Sequence, residues 1–117
     1  MRTLVTITAL LIMTLGAPRA DAHAFLDHAS PLVGSTVASA PSELVLTFTQ
    51  SLEPAFSTVT VTGPGGAEAG QGKAQVSGNT MRIGIKGGGA GTYRVHWHAL
   101  STDTHTTEGT FTFHVGK

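Results

Sequence analysis

The chain has 117 residues, seven basic and seven acidic side chains, and no cysteine. Such a neutral chain, without a basic cluster, offers little to nucleic acid or an anionic membrane surface. The lack of thiols excludes disulfides, thiolate metal sites and thiol catalysis.

Residues 1–22 have the anatomy of an export signal. Arg2 is the positive start, Leu4 to Gly16 form an uncharged apolar run, and Ala20 and Ala22 are the small residues before a cleavage point. The competing readings are a buried helix or a membrane anchor. The run is short for a bilayer span, and Pro18 and Arg19 end it. Cleavage after Ala22 is the expectation, which places the product in the periplasm or outside the cell. Residues 23–117 then form one small domain, with no further segment apolar enough to enter a membrane.

Within 23–117 the apolar residues alternate. ELVLTFT (43–49) puts Leu44, Leu46 and Phe48 on one face, and STVTVT (57–62) does the same with Val59 and Val61. TMRIGIK (80–86) groups Met81, Ile83 and Ile85. TYRVHWH (92–98) groups Tyr93, Val95 and Trp97, and TFTFHV (110–115) groups Phe111, Phe113 and Val115. A period of two with β-branched and aromatic residues marks half-buried strands. SPLVGSTVASAP (30–41) reads as a loop or an irregular first edge. The glycine-rich 63–72 and 87–91 lack the ending of a phosphate-binding loop and read as plain hairpin connections. The expected fold is all-β, a two-sheet sandwich or small Greek-key barrel with an immunoglobulin-like outline.

All six histidines lie in 23–117: His23, His28, His96, His98, His105 and His114. Asp103 and His105 stand two apart in the polar segment LSTDTHTTEG (100–109) between two apolar strands. In an extended segment alternate side chains share a side, so the two can face one point. That suits a metal site or an acid–base pair; a turn capped by Asp103 is the plainer alternative. Ser101 beside His105 lacks a third orienting group and an oxyanion motif, which argues against hydrolysis. Cleavage after Ala22 gives His23 a free α-amino group, so one residue offers an amine and an imidazole in a single chelate. Cu(II) favours tetragonal nitrogen and oxygen donors, and His23, Asp103 and His105 supply three nitrogens and one oxygen. A frayed, solvated end is the alternative for His23.

HAFLDHASP, APSELVLTFT, GTYRVHWHALSTDTH and EGTFTFHV resemble the CopC family of secreted copper-binding proteins over nearly all of 23–117. The most specific parts are the mature N-terminal His and the S-x-D-x-H segment followed by a G-x-F-x-F strand. The resemblance implies a Greek-key β-sandwich, of cupredoxin-like outline, that binds Cu(II) through the N-terminal His and the Asp and His of that segment. Here those are His23, Asp103 and His105. It further implies a non-enzymatic carrier that sequesters copper or passes it to an inner-membrane importer. Two features depart from the family. Some members hold Cu(I) in a methionine-rich stretch, whereas the one methionine in 23–117 is Met81, placed in the core; Cu(II) alone is expected. The family often has Glu where this chain has Gln50; if that position hydrogen-bonds a copper ligand, a neutral amide replaces a carboxylate there.

The other histidines read more plainly. Alternation turns His96 and His98 away from the core, and His114 with them. A hairpin closed by 99–109 sets 96 near 112 and 98 near 110, with His114 diagonal to His96. Exposed histidines are favoured over a second, weaker metal site there. His28, beside Asp27, has no assigned role, and Trp97 and Tyr93 read as core aromatics. Two other functions compete with a copper carrier. One is a polysaccharide monooxygenase, which also uses an N-terminal His chelate; the other is a metal-free immunoglobulin-like interaction module.

Overall fold

The computed structural model describes residues 25–86 and 88–116. The chain runs through β1 (Leu26–Ser30), β2 (Thr36–Val37), β3 (Glu43–Phe48), a 3-10 turn (Pro54–Phe56) and β4 (Thr58–Thr62). It continues through β5 (Gly70–Ser77), β6 (Thr80–Ile85), β7 (Gly91–Leu100) and β8 (Thr106–Val115). Two four-stranded sheets result, one ordered β1-β3-β6-β5 and the other β2-β8-β7-β4. Non-consecutive strands are neighbours in both, as a Greek-key sandwich requires. Among the described residues no helix is long and apolar enough to cross a membrane.

The alternation read in the sequence is the alternation of burial. Leu44, Leu46 and Phe48 of β3 and Met81, Ile83 and Ile85 of β6 face inward from the first sheet. Val59, Val61, Tyr93, Val95, Trp97, Ala99, Phe111, Phe113 and Val115 face them from the second. Burying each large apolar side chain contributes about 1.5–3 kcal/mol, and this core is the main favourable term in a domain without cross-links. Phe48 and Trp97 meet edge-to-face across the sheets, with ring centroids 5.1 Å apart. Tyr93 stacks on Phe113, its partner on the adjacent strand, and its hydroxyl donates to the Gly89 carbonyl at 2.9 Å. Trp97 lies opposite Gly109, where a Cβ would sit 2.7 Å from the indole ring. Glycine is required there because the ring covers the strand backbone.

Two expectations are corrected and a third, the irregular edge, is borne out. The segments 63–72 and 87–91 are not hairpin connections: each carries the chain from one sheet to the other, and 70–72 already belong to β5. Turn composition does not report which sheet the next strand joins. The loop between β7 and β8 spans 101–105, so His96 pairs with Thr110 and His98 with Glu108. His114 therefore sits opposite Thr92, remote from His96. The segment 30–41, read as a loop or irregular edge, contains β2, a two-residue strand parallel to the end of β8.

Candidate metal centre

The centre of interest is the turn that joins β7 to β8 at one end of the sandwich. The long β7–β8 ladder, paired from Gly91↔Val115 to Leu100↔Thr106, makes a rigid stalk for it. Ser101 is fully buried at the base of the turn, and its N–H donates to the His105 carbonyl at 2.9 Å. Thr104 N–H donates back to the Ser101 carbonyl at 2.9 Å, and Thr104 takes a left-handed φ of 75°. These bonds close a tight turn around Asp103.

Asp103 is fixed from both sides. Ser101 Oγ donates to its Oδ1, and the His105 backbone N–H lies 3.4 Å from the same oxygen. His105 Nδ1 also lies 3.4 Å from Asp103 Oδ1. The Ser101 hydrogen bond, aided by contacts with His105, holds the Asp103 carboxyl below its ordinary value against an opposing effect of partial burial. It is thus an anion at neutral pH, as a cation ligand must be. Adjacent donors on a tetragonal ion, each at about 2.0 Å, stand about 2.8 Å apart. The Asp103–His105 pair, at 3.4 Å, closes slightly to share such an ion.

The turn is braced by the segment before the 3-10 turn. Thr102 N–H donates to the Ser51 carbonyl at 3.1 Å, and Glu53 N–H to the Leu100 carbonyl at 2.8 Å. Leu100 N–H donates to Oγ of buried Ser57 at 3.1 Å. The same segment meets the start of the described chain. Phe25 N–H donates to Thr49 Oγ1 at 3.0 Å, and Thr49 N–H to the Phe25 carbonyl at 2.9 Å. Gln50, half-buried, lies between Thr49, which holds Phe25, and Ser51, which holds Thr102.

The expected ligands fare unequally. Asp103 and His105 come together, though in a tight turn and not in the extended segment that suggested it. His23 lies outside the described residues. Among the described residues no three His, Asp or Glu side chains converge as a ready metal cluster. His28 is exposed on β1 and pairs with Asp27 at 3.2 Å. The residue that sequence reasoning missed is Ser101, weighed only as a nucleophile. Its place at the inward end of the Tyr93-Val95-Trp97-Ala99 alternation was the available clue.

The two-sheet arrangement defines the class as a small Greek-key β-sandwich, here with a carboxylate–imidazole pair on an end turn. The CopC domain model matches residues 26–116, and the chain belongs to the CopC family of copper resistance proteins. Copper resistance protein C of Xanthomonas campestris pv. juglandis is 32% identical over 123 residues, covering 97% of this chain and 96% of that protein. The crystal structure of CopC from Methylosinus trichosporium OB3b superposes with a TM-score of 0.74 at 29% identity, over 80% of this chain and 94% of that one. PcoC, a methionine-rich copper resistance protein from Escherichia coli, gives a TM-score of 0.69 at 34% identity, over 80% and 99%. Membership implies copper binding, and family members are generally binding proteins and not enzymes.

Proposed function

We propose that this domain is an exported Cu(II)-binding protein of the periplasm or extracellular space, which sequesters copper or hands it to an inner-membrane importer. The ligands are the α-amine and imidazole of His23, freed by cleavage after Ala22, with Asp103 and His105. The observation that carries this reading is the Asp103–His105 pair, locked by Ser101 at 3.4 Å in a family of copper resistance proteins. The start of the described chain and the turn are held by one segment. Phe25 is tied to Thr49, two residues from the Ser51 that holds Thr102. The two residues from Phe25 back to His23 span at most about 7 Å when extended.

Binding and release need no substrate chemistry. The domain's one Trp and one Tyr are both buried in the core, which argues against the monooxygenase reading. Cupric over cuprous ion follows from Met81, which is fully buried in β6 and offers no thioether to solvent. Soft ligands suit Cu(I), whereas amine, imidazole and carboxylate suit Cu(II).

The test is calorimetric titration of Cu(II) into the exported protein and its Asp103→Asn and His105→Ala variants, beside mass measurement of the mature end. One tight equivalent, weakened at least about tenfold in each variant, is the expected outcome. Equal affinity in all three proteins, or a mature end other than His23, contradicts the ligand set.

A further inference from the structure

The outer face of the second sheet brings three further metal-ligating side chains together, away from the end turn. His96 and His98 alternate with buried Val95, Trp97 and Ala99, so both point outward from β7. The β7–β8 register places Glu108 directly across from His98 and Thr110 across from His96. Glu108 is thus diagonal to His96, and its Oε1 lies 3.5 Å from His96 Nε2. On the other flank, Thr60 and Thr58 of β4 stand across from His96 and His98.

The His96 ring is oriented. Its Nδ1 lies 3.2 Å from Thr110 Oγ1. With Nδ1–H donating to that hydroxyl, the Nε2 lone pair faces the Glu108 carboxylate. In that tautomer the two lone-pair donors share a cation, a proton or a metal, whereas in the other the Thr110 hydroxyl donates to Nδ1 and Nε2–H faces the carboxylate. Donors sharing a tetrahedral Zn(II) stand about 3.4 Å apart, close to the 3.5 Å separation, and a tetragonal Cu(II) draws adjacent donors in to about 2.8 Å. An imidazole held through its other nitrogen is the arrangement metal-ligating histidines adopt.

We propose that His96, His98 and Glu108 form a second metal site, for a borderline divalent cation such as Cu(II) or Zn(II), with water completing the coordination. Two imidazoles and a carboxylate suit these ions, and a directly opposed cross-strand pair is close enough for His98 to join. The three groups do not converge as they stand. His98, half-buried, turns toward Glu108 when the metal arrives, and ordering the exposed His96 and Glu108 side chains costs entropy, which makes this the weaker of the two sites. The site owes nothing to cleavage after Ala22. His114, opposite Thr92, takes no part in it.

The experiment titrates Cu(II) and, separately, Zn(II) into the exported protein and into His96→Thr, His98→Thr and Glu108→Gln, with His114→Thr as the control. Threonine already lines this face and suits a strand, so the variants fold. The expected result is a second, weaker equivalent of Cu(II), weakened at least about tenfold in His96→Thr and His98→Thr and less in Glu108→Gln. His114→Thr leaves it unchanged, and Zn(II) shifts the ring resonances of His96 and His98 in NMR spectra. The Asp103→Asn variant weakens the tight equivalent and leaves the weak one unchanged, so failures of the two sites are read separately. A second equivalent that survives all three substitutions, one that depends on His114, or wild-type binding that His96→Thr leaves wholly unchanged overturns the proposal.

Discussion

Ser101, fully buried where β7 ends, donates its hydroxyl to the Asp103 carboxylate at the exposed tip of the turn. A core-anchored group thereby positions a surface ligand. The same hydroxyl lies 3.3 Å from the His105 carbonyl, so one serine ties both halves of the pair. Ser101→Ala is therefore expected to weaken Cu(II) binding by about 10- to 100-fold, in the range for loss of a partner that orients a ligand. Calorimetry on the variant measures this, and near-UV circular dichroism checks that the sandwich is intact.

The Ser101 bond also predicts a pH effect in the metal-free protein. Asp103 titrates below its ordinary value because Ser101 and His105 favour the anion. A carboxyl whose folded pKa is depressed adds stability that is complete above its unfolded pKa and is lost as pH falls through the folded one. Asp103 thus contributes to acid sensitivity below roughly pH 4. Denaturant midpoints across that window should fall less steeply in Asp103→Asn than in the wild type.

Gly109 faces the Trp97 ring, where an added Cβ meets indole atoms at 2.7 Å. Gly109→Ala forces the largest aromatic side chain off its seat and is expected to cost about 1–3 kcal/mol. Urea denaturation gives the loss, and tryptophan fluorescence reports the displaced ring.

Phe48 packs its ring against Trp97 from the opposite sheet. Phe48→Ala removes that bridge and leaves a cavity between the sheets, with an expected loss of about 3–5 kcal/mol. The variant should unfold at markedly lower urea than Gly109→Ala.

Met81 sits in the core, out of reach of a solvated ion. Met81→Leu keeps volume and apolarity, so stability should change by less than about 1.5 kcal/mol. Titration with Cu(I) and Cu(II) should give the same result for variant and wild type. Loss of a cuprous equivalent in the variant would show that the thioether does bind metal.

The inward alternation of β3, β4, β6, β7 and β8 was legible because each of these strands has one wet face and one buried face. β5 was not. Its sequence GQGKAQVS is an edge strand exposed along most of its length, and only Ala74 and Val76, both partly buried against the core, carry a period of two. The register of β7 on β8 departs from expectation because Leu100 and Thr106 still pair, which shortens the loop and shifts every partner by two residues. That shift exchanges His114 for Glu108 beside His96 and His98. Of the candidate site, Asp103 and His105 were legible from spacing and family pattern. Ser101 was not, because a small polar residue at the end of a strand looks like any other turn former.

The copper site proposed for this domain depends on processing, which supplies one of its ligands. The most direct measurement compares Cu(II) affinity of the chain beginning at His23 with that of the same chain carrying one extra residue ahead of it. The added peptide bond turns the α-amine into an amide and leaves every side chain in place. Affinity should fall at least about tenfold, with a changed electron paramagnetic resonance signature from the altered nitrogen set. Equal affinity and an unchanged spectrum in the extended chain would contradict the account.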